Sequence, residues 1–266
     1  MKHKLALLSC LTIAGTFLLQ SCEKKIEKKE SFEDTELVVH SGDQAMMSGE
    51  MDAITNEINV PLEATVTGRE ESGLVCSAII AYDTAGSQKK VTITYNGDDC
   101  AKYRSRKGVV EMSIPAGVKW SDAGAEITVN YINLKVTRNS DKRYIIINGT
   151  HKITNVSGGI SWHLALGKPS ITHTITSNNM SVTFDDGTQR QWQVARQRVY
   201  TLQNGGTITV TGTHTQGNQT GIAEWGTDRF GKTFVTAITE PLVVKATCQY
   251  RLVSGQLKHD RTLSSA

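Results

Sequence analysis

Apolar and polar residues follow three successive rhythms along the chain. Leu5 to Leu19 is an almost uninterrupted apolar run behind Lys2 and Lys4. That is the build of a secretory signal peptide, too short and wrongly flanked for a transmembrane span. Between Ser41 and Asn59, the residues Met47, Met51, Ile54 and Ile58 are spaced by four, three and four, which marks one face of a helix. Gly49 weakens this helix and Pro61 is expected to end it. A stripe of this kind is core packing, so the helix is expected to cover part of a sheet.

After Pro61 the period drops to two. Leu74–Tyr82 and Val91–Tyr95 flank a polar turn, Asp83-Thr84-Ala85-Gly86. Ile127, Val129 and Tyr131 alternate on odd positions and Leu134 and Val136 on even ones, a one-residue slip at Ile132-Asn133 that a β-bulge would produce. Asn139-Ser140-Asp141 separates that strand from Tyr144–Ile153. Asp185-Asp186-Gly187 is the strongest hairpin signal, because Asp-Gly suits the positive φ of tight hairpin turns. Asn204-Gly205-Gly206 leads into Thr207–Thr213, and a last strand is expected over Leu242–Val253. Long strands with short connections pair antiparallel. The predicted class is mainly β: a long-stranded antiparallel meander, in one sheet or two layers, with one short N-terminal helix. The organisation is a leader over 1–21, a charged tether over 22–40 and an all-β domain with its leading helix over 41–266.

Composition sharpens this picture only slightly. Lys and Arg number 29 against 26 Asp and Glu, and removal of Lys2 and Lys4 with the leader leaves near balance. Nothing in that points to nucleic acid, which needs a clustered basic face. Residues 23–36 carry four lysines and six acids with almost nothing to bury, as a solvated tether would. Of five cysteines, Cys10 lies in the leader. Export permits disulfides, and Cys76 and Cys100 stand at the two outer ends of one predicted hairpin. They are read as a pair, the alternative being two buried thiols.

Leu19-Gln20-Ser21-Cys22 resembles the lipobox of bacterial lipoproteins, with Gln20 where a smaller residue is commoner. The resemblance implies a diacylglyceryl thioether on Cys22, cleavage just before it and acylation of the new amine. The plain alternative is an ordinary leader with an incidental cysteine. Two or more acyl chains hold a protein to a bilayer stably. Further on, Gly97-Asp98-Asp99-Cys100, Arg104-Ser105-Arg106-Lys107-Gly108 and Pro241-Leu242-Val243-Val244-Lys245 before Cys248 resemble segments of an uncharacterised lipoprotein family of Bacteroidota. In such relatives a cysteine nearer the C-terminus would partner Cys248, so that resemblance implies terminal strands beyond Ala266. A free Cys248 is the alternative.

Signatures of known chemistry are absent: no Gly-x-Ser-x-Gly, His-Glu-x-x-His, P-loop, Rossmann fingerprint or Cys-x-x-Cys occurs. Asp98, Asp99, Asp185 and Asp186 sit in turn-like positions where Asp bonds its own backbone. His151, His163, His173 and His214 would form a metal site only if the strands converged them, and isolated strand histidines are expected on the wet face. No cofactor or metal is therefore assigned, and no catalytic residue. Lys102, Arg104 and Arg106 fall on one side of a strand. They are read as an edge protected by charge or as a site for anionic glycans or phosphate. Trp162, Trp192 and Trp225 are candidate sugar platforms, with Trp192 at a core-like position. Asp83-Thr84-Ala85 resembles the acceptor for O-glycosylation in Bacteroidota, on Thr84. The expected function is a non-enzymatic envelope lipoprotein that binds or scaffolds a glycan or envelope protein, in either leaflet of the outer membrane. The rivals are a polysaccharide hydrolase with an unsigned carboxylate pair and an adhesin- or fimbria-like subunit.

Overall fold

The computed structural model describes residues 35–67, 75–177, 179–248 and 251–261; the leader, Cys22 and residues 23–34 of the tether lie outside the described residues. The chain enters through a helix, α1 (Thr35–Thr67), roughly 50 Å long at about 1.5 Å per residue. Then come β1 (Ala78–Asp83), β2 (Gln88–Asp98), β3 (Arg104–Pro115), β4 (Ala125–Arg138) and β5 (Tyr144–Asn155), side by side in chain order. After a short helix, α2 (Ser161–Ala165), follow β6 (Ile171–Ser177), β7 (Ser181–Phe184), β8 (Gln189–Thr201) and β9 (Thr207–Gly212). The last four strands are β10 (His214–Gln216), β11 (Gln219–Thr227), β12 (Thr233–Lys245) and β13 (Arg251–Arg261). All belong to one 13-stranded antiparallel sheet.

The simple meander breaks where two short strands share one position. β6 pairs with one half of β5 and β7 with the other, and both lie against β8. β9 and β11 divide the space between β8 and β12 in the same way. Gly149 of β5 stands beside the gap between β6 and β7. Its φ is 112° and an added Cβ would sit 2.4 Å from the Asn179 carbonyl oxygen, so only glycine lets the strands close there.

The predicted bulge is present. The β3–β4 register jumps between Lys107 and Val109, and the β4–β5 register between Tyr131 and Leu134, with Asn133 at φ 47°. The expected closing strand over 242–253 is not continuous. β12 passes through Pro241 to Lys245, the chain turns at Ala246–Cys248, and β13 begins at Arg251. Pro241 is tolerated because the β12–β13 ladder shifts register between Ile238 and Val243, where no regular N–H is required.

The sheet curls around α1. Tyr95 of β2 donates its hydroxyl to Glu57 (2.9 Å), and Arg261 of β13 reaches Glu36 (2.9 Å), so strands towards both margins hold one helix. Met47, Met51, Ile54 and Ile58 are all buried against the concave face, as their spacing predicts. The helix nevertheless runs past both expected limits. It starts at Thr35 because Glu36, His40 and Asp43 already contact the sheet. It continues through Pro61 to Thr67, and burial of Pro61 and Leu62 offsets the backbone hydrogen bond that proline cannot make.

Cys76 and Cys100 form a disulfide with a Cα–Cα distance of 5.2 Å, clamping the outer ends of the β1–β2 hairpin. Cys248 is buried in the turn between β12 and β13. Replacing Cys76 and Cys100 together by serine is expected to lower stability by about 3 kcal/mol, the chain-entropy value for a loop of this size. Urea unfolding of the unreduced proteins checks it; an unchanged midpoint would show that the clamp contributes nothing.

Candidate functional site

Along α1, acids alternate with apolar residues on the buried stripe: Asp43, Met47, Glu50, Ile54, Glu57. Each acid meets an arginine from the sheet or, for Asp43, from the β11–β12 turn. Asp43 takes both Nε and Nη2 of Arg229 (2.6 and 2.7 Å). Glu50 accepts from Arg104 (2.6 Å) and Arg106, and Glu57 also binds Arg106 (2.6 Å). Asp52 bridges Arg196 (3.0 Å) and Arg198. From the sheet, Glu224 accepts from Arg196, Ser48 and Trp192 Nε1 (3.3 Å). Burial alone would raise the Asp52 carboxyl, but the neighbouring charges of Arg198 and Arg196 win and hold it below the usual carboxylate range. Such buried pairs fix register more than they add net stability, because each charge has lost its water. Here they set which turn of α1 faces which strand.

That placement brings Asn56 and Asn59 of α1 to the edge of a cavity of about 340 Å³. Its walls are apolar, with Ile160 and Leu164 around α2, Ile171 of β6, Leu202, and Ile208 of β9. Trp120, His173 of β6 and Tyr200 of β8 also line it, and the imidazole lies between the two aromatic rings at 4.9 and 5.0 Å. Among the described residues no Asp, Glu, Lys or Arg lines this cavity. The loops that shape it are tied by Asn155, whose buried amide donates to the carbonyls of Trp120 (2.7 Å) and Gly159 (2.8 Å). Gly159 in turn donates to the Ser121 carbonyl (2.8 Å), and the Ile160 N–H donates to Nδ1 of His163 at the start of α2 (3.0 Å).

Inside this apolar site one polar side chain lacks partners among the described residues. Both ring nitrogens of His173 are buried without a protein hydrogen bond, and the Tyr200 hydroxyl beside them interacts with the Arg198 guanidinium. Burial first, and the charge of Arg198 second, push the His173 imidazole down to about 3, so at neutral pH it offers one donor and one acceptor. Leaving such groups unsatisfied costs on the order of 1–3 kcal/mol each, which a ligand bonding to them would recover.

The residues singled out in the sequence are scattered. Lys102 is exposed in the turn before β3. From β3, an interior strand, Arg104 and Arg106 both turn inward to Glu50; Arg106 is buried, whereas Arg104 stays partly exposed near Lys102. A shallow cleft of about 530 Å³ beside α1 includes Lys102 and Arg104. Thr84 is exposed in the β1–β2 turn, where the Ala85 N–H caps Asp83. His151 and His173 are buried on the helix-facing side rather than on the wet face, and His214 stacks on Trp225 at 4.1 Å. Among the described residues no three His, Cys, Asp or Glu side chains are grouped to hold a metal. Trp192 is fully buried, whereas Trp162 is exposed.

Sequence reasoning missed Asn56, Asn59, Trp120 and Tyr200 as pocket residues, and met His173 only as a metal candidate. Nothing local marks them, since they come from four separate stretches. No family model, curated protein or solved structure matches the chain.

Proposed function

We propose that this protein is a lipid-anchored component of the bacterial envelope whose β domain binds a small, largely apolar molecule without transforming it. The leader and Leu19-Gln20-Ser21-Cys22 support the anchor. Among the described residues no helix is long and apolar enough to cross a membrane, so attachment by this reading runs through acylated Cys22. One observation carries the binding role: an apolar cavity with the His173 imidazole buried in its wall and unpartnered among the described residues. Its volume falls near the lower end of small-molecule sites, about 300–1,000 Å³, and a few convergent polar groups among apolar walls are their usual build. The hydrolase alternative needs two carboxylates about 5–9 Å apart, and among the described residues none lines this cavity.

Titration with the neutral fluorophore N-phenylnaphthylamine tests the reading. One saturable site is expected, and Leu164→Trp, a change at a half-buried wall position on α2, is expected to weaken binding at least about tenfold, equivalent to 1.4 kcal/mol. Equal binding by the two proteins, with matching circular dichroism, would reject the cavity as the site. Absence of acyl mass on the N-terminal peptide, with unchanged partitioning of Cys22→Ala, would reject the anchor.

A further inference from the structure

Around the cavity several large apolar side chains are left exposed by the described residues. Leu202, in the cavity wall, is 53% exposed; Trp162 and Leu166, one turn apart on and just after α2, are 61% and 66% exposed. Leu164 and Ser161 of the same short helix line the cavity, so the exposed cluster is continuous with its mouth. Single exposed apolar residues are ordinary, but a cluster joined to an apolar cavity marks an interaction surface. An indole beside two leucines has the chemistry that settles at the level of lipid headgroups, with the ring at the interface and the aliphatic groups below it.

Chain geometry allows that surface to reach the bilayer holding the anchor. From Thr35 to Asn56 the helix advances about 32 Å at 1.5 Å per residue, which sets how far the cavity lies from the helix start. The segment from Cys22 to Thr35 can span at most about 45 Å at 3.3–3.6 Å per residue. The tether is therefore long enough for the domain to lie down with the mouth of its cavity on the membrane.

We propose that Trp162, Leu166 and Leu202 dock on the bilayer and that the cavity draws from it an amphiphile with a neutral hydrogen-bonding head. This deepens the reading given above and rests on it. The head, a hydroxyl or carbonyl, seats on His173 and Tyr200, and the hydrocarbon tail leads out over Leu164 and Leu202 toward the membrane. An ionised head would enter without a counter-ion. Among the described residues no charged side chain lines the cavity, and the guanidinium beside His173, that of Arg198, is already engaged by Asp52 and Tyr200. Burying an unpaired charge costs several kcal/mol.

The test uses the full acylated chain in phosphatidylcholine vesicles with and without brominated acyl chains. Brominated vesicles are expected to quench part of the tryptophan emission, and that part is expected to be lost in Trp162→Phe combined with Leu166→Ser. Equal emission in both vesicle types would overturn the docking, whatever the fluorophore titration shows. In competition with N-phenylnaphthylamine, decanol is expected to displace the probe at a concentration about tenfold or more below that of decanoate. Equal or stronger displacement by decanoate would overturn the neutral head while leaving the existence of the pocket to the titration of Leu164→Trp.

Discussion

Glu224→Ala is expected to destabilise the protein by about 3–5 kcal/mol, the usual cost of stranding one member of a buried ion pair. Glu224 is fully buried and gathers Arg196, Ser48, Gln44 and Trp192. Its loss leaves the nearly buried Arg196 guanidinium with only Asp52 and Ser48. The size of the effect comes from the stranded charge more than from lost contact. Arg196→Met added to Glu224→Ala is therefore expected to recover a substantial part of the loss, because methionine fills the space without a charge and Asp52 keeps Arg198. Urea unfolding followed by tryptophan fluorescence checks both. A double variant as unstable as the sum of the single ones would show that the two side chains act independently and that the charge argument is wrong.

Acid is expected to unfold the domain well above the range of its carboxylates. Burial depresses His40 to about 4 and His151 and His173 to about 3, from an ordinary value of 6.5, with His259 and Arg198 adding positive charge nearby. The unfolded chain takes up these protons first as pH falls, so the stability associated with the neutral rings is complete above about 6.5 and declines below it. At pH 5 each ring is expected to cost on the order of 2 kcal/mol, using 1.4 kcal/mol per pH unit. Three such losses approach the whole stability of an ordinary domain, about 5–15 kcal/mol. Asp43, raised by burial ahead of its Arg229 pairing, acts in the opposite direction and tempers the loss. Unfolding free energies measured at pH 7 and pH 5 should differ by several kcal/mol, and His151→Phe should shrink that difference. A stability flat across this range would contradict the burial of these rings.

These two predictions rest on features that the alternation of residues only half reveals. The helix stripe from Met47 to Ile58, the slip at Ile132-Asn133 and the Asp185-Asp186-Gly187 turn could be read because each is a local pattern with one steric solution. The charged interior could not be read that way. Arg104, Arg106, Arg196 and Arg198 look like wet-face residues by type, and Asp43, Glu50 and Glu57 look like the solvated side of a helix. A signal was nevertheless present in the parity of β8. Arg196 and Arg198 share it with Trp192 and Val194, and all four point inward. Charged residues in phase with a core stripe imply opposite charges facing them, and α1 supplies those. β13 was missed for a related reason: Lys258-His259-Asp260-Arg261 lacks apolar alternation because its inward contacts, His259 with His40 and Arg261 with Glu36 and Asp228, are polar. The cavity was illegible because its lining is assembled from α1, the β3–β4 loop, α2, β6, β8 and β9, and only the pairing of the sheet brings these together.

Native mass spectrometry of the full-length protein, purified from its native host in mild detergent, tests most directly whether the cavity beneath α2 holds an amphiphile. The wild-type chain should carry a non-covalent small-molecule adduct, released on unfolding, and Leu164→Trp should lack it. Identical masses for the two proteins, beyond the substitution itself, would contradict the binding role assigned to His173, Tyr200 and the walls around them.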